Sequence, residues 1–430
     1  MLPSYRQVFR IHGLSLPLLA SFAGSVPIAM LNLSVLLLVR LHGQSFGAAG
    51  IIVGALNLGS GAGVVAQGAW IDRRGQSGVL AAAALTCAAS LAALTAAVTH
   101  GGPAWLTAAL AGTGGASLPA TPTAVRALCT TLVTNQQLRV TAYAMLAMAS
   151  TSGMLLGPLL VSLLLAGGAT TAVLATAALA AATGILYALA PAARRQVPPA
   201  RAPRWRLSSL TTPGMRTLTV TSAVNGAVLG LVGVAMPALA LSRHDTALAG
   251  ELSAIAAAGD LVGGVFYGGR SWTMPLRARL VIALLAIAAS CAVLGVIVGD
   301  LAAIAVGMAV FGASEAITGI TLTALIQHVA PPAARTESYA VIISAALAGT
   351  AAGNLAGGAL ADGGSVCLVF MAAAGGAVTA ATWAVSRKHT LPPVPCTTRR
   401  SQRGTGRDRG EGLCSGSADD GPLKFPLPPA

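Results

Sequence analysis

Arg139-Val-Thr-Ala-Tyr143, followed by Gly153-Met-Leu-Leu-Gly157, returns 196 residues later as Arg335-Thr-Glu-Ser-Tyr339 and Gly349-Thr-Ala-Ala-Gly353. At the same offset Gly68–Asp72 falls on Gly264–Gly268. One such match is expected by chance in a chain with 51 glycines, but three in a single register are not. The chain therefore reads as two copies of one unit. Parallel repeats of hydrophobic bundles are a property of secondary transporters.

Composition points the same way. Hydrophobic residues make up 55%, charged residues 9%, and the mean hydropathy is +0.76. A soluble domain carries roughly 25% charge, so this chain is built for lipid. Its apolar runs reach about 20 residues, the length that crosses a hydrocarbon core of roughly 30 Å as helix. Twelve spans are expected, at 14–38, 47–70, 78–98, 103–124, 140–165 and 169–190, then 215–240, 247–268, 279–299, 301–325, 336–360 and 364–386. The runs are continuous rather than alternating, which excludes barrel strands. The expected architecture is all-α, with two pseudo-symmetric six-helix bundles at 14–190 and 215–386.

The net charge of +14 raises the question of nucleic acid, but its placement answers it. With both termini cytoplasmic, every Lys and Arg except Arg40 and Arg243 falls on the cytoplasmic side. That is the positive-inside bias of membrane topology. A DNA-binding patch would need a folded soluble surface, and none is expected. Residues 1–13 form a cytoplasmic N-terminus. Residues 191–214, with Pro191, Pro198, Pro199, Pro203 and Pro213, form a cytoplasmic linker. Residues 387–430 are polar and Pro/Gly-rich, the composition of a disordered tail. The first apolar run lacks a cleavage site and reads as a span rather than a signal peptide. The six cysteines and six histidines show no metal or redox spacing. No hydrolase triad or phosphate loop occurs, so neither an enzyme, a cofactor, a metal site nor an ATP-driven pump is expected.

Gly68-Ala-Trp-Ile-Asp72-Arg73-Arg74-Gly75 closes span two and forms the loop after it. This resembles the signature of the major facilitator superfamily, and the twelve spans, central linker and internal repeat extend the resemblance over the whole chain. Gln76 and Ser77 depart from it, standing where the family has basic residues. The resemblance implies that Gly68, Asp72, Arg73 and Gly75 form a gating motif, with Asp72 facing the start of span eleven near Tyr339. A carboxylate is favoured at a helix N-terminus; the plainer alternative is that Asp72 neutralises Arg73 or Arg74. In span five, Gly153-Met-Leu-Leu-Gly157-Pro158 is similar to the antiporter segment of bacterial drug:proton exporters. Val161 and Ser162 depart from that pattern, and generic small-residue packing is the competing account. The exporters' mid-helix Arg in span four is missing, since Arg126 comes too late in the helix.

Carboxylates inside spans are expensive, about 2.5–3.5 kcal/mol even on lenient scales. Glu315 in span ten and Asp260 in span eight qualify, both about 20 Å below the outer surface at 1.5 Å per residue. They are the candidates for proton coupling, Glu315 first because span ten lines the cavity in the family. Asp260 shares a helical face with Gly264, where spans are expected to pack. Asn32 and Asn225 are candidate substrate-cavity residues, with helix–helix hydrogen bonding the alternative for each. The expectation is a monomeric, multi-pass secondary transporter of a bacterial cytoplasmic membrane, whose partners are a small-molecule substrate, protons and the lipid bilayer. Proton-coupled efflux of amphipathic or drug-like molecules is the leading function; a facilitator or importer of a small polar metabolite is the alternative, and a non-transporting membrane sensor or enzyme a remote one.

Overall fold

The computed structural model describes residues 11, 13–133, 136–195, 212–270, 272–297, 299–330 and 335–391. The expected tail, most of the linker and most of the N-terminal segment lie outside the described residues. The first half contains α1 (Ser15–Leu41), α2 (Phe46–Arg74), α3 (Gln76–Thr99), α4 (Ala104–Ala116), α5 (Thr121–Leu132), α6 (Gln136–Leu164), α7 (Ala169–Leu189) and the single turn α8 (Pro191–Arg194). The second contains α9 (Pro213–Ser242), α10 (Ala247–Gly269), α11 (Leu276–Val296), α12 (Leu301–Val329), α13 (Arg335–Asp362) and α14 (Val366–Ser386). Among the described residues, 11 helices are long and apolar enough to cross a membrane.

The twelfth span is present in two pieces, which corrects the continuous helix expected at 103–124. α4 has 13 residues, about 20 Å at 1.5 Å per residue, too short to cross alone. The chain breaks at Ser117–Ala120 and restarts in α5, which has Pro122 in its first turn. Pro119 explains the break: proline lacks the N–H a continuing helix needs and pushes the preceding residue out of the α region.

Helix ends follow local chemistry. Ser45 caps α2 by accepting from Ala48 N at 3.1 Å, Asp300 caps α12 through Ala302 N at 3.0 Å, and Ser365 caps α14 through Leu368 N at 3.3 Å. Gly75 alone separates α2 from α3, at φ +83° and ψ 165°, a conformation open essentially to glycine only. Thus one glycine of the expected gating motif is required by the turn itself.

The repeat reappears as contacts. α1 packs on α6 and α7, α2 on α4, and α3 on α7; in the second half α9 packs on α13 and α14, α10 on α12, and α11 on α14. The glycines correspond as well. A Cβ on Gly153 or Gly157 would strike Ser25 or Ala29 of α1, and one on Gly349 or Gly353 would strike Ala223 or Ala227 of α9. Gly59 and Gly63 meet Gly112 and Ala116, whereas Gly259 and Gly263 meet Ala309 and Ala313. Each contact in one half has a counterpart in the other, displaced by between 196 and 200 residues. Lipid is as apolar as a leucine side chain, so close backbone packing of this kind is what holds such helices together. The outer surface suits the same solvent: Trp105 is 73% exposed, Leu163 71% and Val296 80%, an apolar exposure that water would penalise.

Candidate functional site

The halves meet along two seams, α2 with α13 and α6 with α10. Helix ends alternate, so the short connections at 42–45, 100–103, 243–246 and 363–365 gather at one end, here the Ser45 end. The opposite end carries Asp72. Along α2, Gly47 lies against Asp362, Gly50 against Asn354, Gly54 against Ala351 and Leu355, and Gly61 against Leu347. The last polar link of this seam is Ser344 Oγ donating to Gly61 O at 3.2 Å. At the second seam Ser162 Oγ donates to Ala247 O at 2.8 Å, and Gly250 lies against Pro158 and Ser162. These contacts close the Ser45 end. Beside the first seam lies a groove of about 490 Å³, lined by Leu58, Gly61, Ala62, Val65, Ala66, Ser344 and Ala348.

No hydrogen bond joins Asp72 to the start of α13 among the described residues. Asp72 is half-buried, no hydrogen-bond partner is found for it among the described residues, and Gly68 has nothing within 4 Å. Tyr339 instead donates its hydroxyl to Thr323 O at 3.3 Å. Arg73 is exposed.

The mid-helix carboxylate has a defined partner. Asn225 Nδ2 donates to Glu315 Oε2 at 3.0 Å, joining α9 to α12 near the middle of both. Glu315 Oε1, Asn225 Oδ1 and the nearby Ser222 Oγ are buried without partners among the described residues. A single proton on the carboxyl group converts one of these orphan acceptors into a donor, so the pair is chemically suited to a proton that comes and goes. Asp260 is half-buried and close enough to Glu315 to act on it electrostatically. Its expected packing face is corrected: Gly264 has open space beside it, and Gly259 and Gly263 make the contact with α12. Asp260 lies beside that seam, its backbone N 3.0 Å from where a Cβ on Gly312 would sit. In the first half, Asn57 Nδ2 donates to Asn32 Oδ1 at 3.1 Å and to Val53 O at 2.9 Å, so Asn32 joins α1 to α2. No cluster of three potential metal ligands occurs among the described residues.

Two functional candidates were not found in the sequence. Gln67, buried on α2, bridges the break in span four: Nε2 donates to Ala116 O at 3.0 Å and Leu118 O at 2.8 Å, while Oε1 accepts from Ala120 N at 3.2 Å. One side chain thus satisfies three backbone groups that the break releases. Gln67→Leu should lower stability by about 2–3 kcal/mol, since buried backbone groups lose their partners, read as an earlier thermal unfolding midpoint in detergent. A midpoint equal to wild type would show that water fills the role. The second is Asp362, whose Oδ1 accepts from Phe46 N at 2.6 Å and whose Oδ2 accepts from Gly47 N at 2.8 Å. Proline inside an expected span was a usable signal for the first. For the second, the signal was an aspartate in the last turn of a helix, where its own helix dipole opposes it.

No family model matches the chain, and no curated protein matches it in sequence. Solved structures match its fold. A bacterial homologue of the iron transporter ferroportin, in an inward-facing state, superposes with TM-score 0.71 at 12% identity, covering 88% of this chain and 99% of that one. The nucleoside transporter NupG gives 0.68 at 15% identity, with 88% and 99% covered. A bacterial homologue of the human lysosomal transporter Spinster, inward-facing and unoccupied, gives 0.65 at 13% identity, with 89% and 98% covered. The chain therefore has the major facilitator fold, as the motif resemblance implied.

Proposed function

We propose that this chain is a secondary active transporter working by alternating access, and that it exports small amphipathic or drug-like molecules in exchange for protons across a bacterial cytoplasmic membrane. The observation that carries the reading is the Glu315–Asn225 pair, mid-membrane, with an unfilled acceptor on each partner. A group that is neutral in one conformation and ionised in the other couples proton flow to movement. The positive-inside distribution puts the Asp72 end in the cytoplasm, so this conformation is the inward-open one; the inward-facing state of the ferroportin and Spinster homologues supports that orientation. Asp72, Arg73 and the start of α13 would then engage in the opposite state. Gly153, Gly157 and Pro158 place α6 between α1 and α10, where a rocking motion would pivot. The two six-helix units move as a monomer in this scheme.

Uptake of a small polar metabolite is the second reading. The Asn32–Asn57 pair favours it by adding a second polar contact between helices of the first half, as does the likeness to a nucleoside transporter. Susceptibility of expressing and non-expressing cells to a panel of toxic compounds separates the two. Export predicts a rise in tolerated dose for some amphipathic cations or neutral compounds. Heightened sensitivity to toxic polar analogues, with no protection elsewhere, would reverse the direction.

A further inference from the structure

We propose that Asp362 is a releasable latch that holds the Ser45 end closed, and that opening this end requires the Asp362 carboxylate to leave the N-terminus of α2. The proposal rests on the alternating-access reading and goes beyond it, since it assigns the closed state to a named contact.

The carboxylate belongs to the last residue of α13, where the carbonyl ends of its own helix repel it. Its favourable partners all lie in the other half. Phe46 N and Gly47 N donate to it at 2.6 and 2.8 Å, and the Ser45 hydroxyl bonds to it as well. These are groups of the first turn of α2, where unpaired N–H groups and the helix dipole attract an anion. Arg40, at the end of α1, stands close enough to act on the carboxylate and packs its guanidinium 3.9 Å above the Phe46 ring. Arg40 also donates to Gln44 O, which braces the loop leading into α2. The contact is therefore attractive only while the two halves are together, which is what makes it differential between states.

The rest of the seam cannot do this work. Below Asp362 it is glycine against backbone: Gly50 on Asn354, Gly358 on Phe46, Gly54 on Ala351. Such a surface allows close approach, and the polar link it adds further along, Ser344 Oγ to Gly61 O at 3.2 Å, joins two neutral groups. Asp362 is exposed, so water can take over its hydrogen bonds when the halves separate, and the latch is reversible. Asp72 occupies the equivalent last turn of antiparallel α2 at the opposite end and has no hydrogen-bond partner among the described residues.

The test is distance measurement between spin-label pairs on the full chain in liposomes, with Cys367, Cys396 and Cys414 replaced by Ser. One pair, His42→Cys with Gly363→Cys, reports the Ser45 end; a second, Ser77→Cys with His328→Cys, reports the Asp72 end. Asp362→Ala should raise the long-distance population at the Ser45 end about fivefold, the size of bias a helix-terminal carboxylate supplies. Gly47→Ala perturbs the contact from the other side while keeping the charge: its Cβ would sit 2.8 Å from Asp362 Oδ2. It should shift the same population in the same direction by less. Should Asp362→Ala fail to insert, Gly47→Ala decides alone. Unchanged Ser45-end distances in these variants overturn the latch, whatever the second pair does. Lengthening at the Ser45 end without shortening at the Asp72 end upholds the latch and counts instead against alternating access.

Discussion

Glu315→Gln should abolish substrate movement driven by a pH gradient in proteoliposomes, by about two orders of magnitude, because the ionised step is removed rather than weakened. Substrate exchange without a gradient should persist. Glutamine has the shape of a protonated glutamate: its carbonyl still accepts from Asn225 Nδ2, and its amide can donate to the orphan Asn225 Oδ1. The variant is thus fixed in the neutral half of the cycle. Its folded state should be as stable as wild type or more so, since a buried ionisable group has been replaced by a neutral one with partners. Exchange by the variant should also lose any pH dependence that wild-type exchange shows. Asp260→Asn is the informative companion, because Asp260 lies close enough to act electrostatically on Glu315. Coupling retained in Asp260→Asn would assign the proton to Glu315 alone. Gradient-driven transport that survives intact in an inserted Glu315→Gln protein would remove the proton role from this residue.

What the sequence reveals and what it hides divide along the range of the interactions. The spans, their number and the twofold repeat rest on local hydrophobicity and on spacing, both of which a single chain displays. Glu315 stands out for the same reason, since a carboxylate 14 residues into a 29-residue apolar helix is visible without a partner. Its bond to Asn225 crosses 90 residues and has no local signature. Gln67 lies 53 residues from Ala120 and Asp362 lies 316 from Phe46, so each looks like an ordinary polar residue until the helices are placed. The break in span four illustrates a different limit. Pro119 was visible, but hydropathy averages over a window and cannot register one missing N–H. At the 196-residue offset Pro119 falls on Glu315, which lies in a continuous α12. The two copies have thus diverged at one depth, into a break in the first half and a carboxylate in the second.

Gly349→Val should sharply reduce recovery of stable, monodisperse protein, with a loss of about 3 kcal/mol, the upper end of the usual overpacking cost. The crossing of α9 and α13 is built by four glycines that interleave: Gly226 against Ala346 O, Gly230 against Thr350 O, Gly349 against Ala223 O and Gly353 against Ala227 O. Even a methyl group on Gly349 would overlap a backbone carbonyl, which cannot rotate away as a side chain can. Gly264→Val is the control, since a Cβ at that position would meet no other part of the structure within 4 Å. Valine has no clash to meet there, and its effect should stay within about 0.5 kcal/mol. Thermal unfolding in detergent compares the pair, and a Gly349→Val protein that purifies normally and melts with wild type would show the crossing to be looser than described. The same logic separates packing from function in the segment that resembles an antiporter motif. Gly153 and Gly157 make with α1 the crossing that Gly349 and Gly353 make with α9, yet the second copy carries Asn354 where the first has Pro158. The glycine pair is common to both halves and holds helices together. Only Pro158, whose missing N–H leaves a helix carbonyl unpaired and whose own carbonyl faces Gly250 of the other half, distinguishes the first copy. Pro158→Ala should therefore leave stability nearly unchanged while altering transport, whereas Gly153→Val should fail as Gly349→Val does.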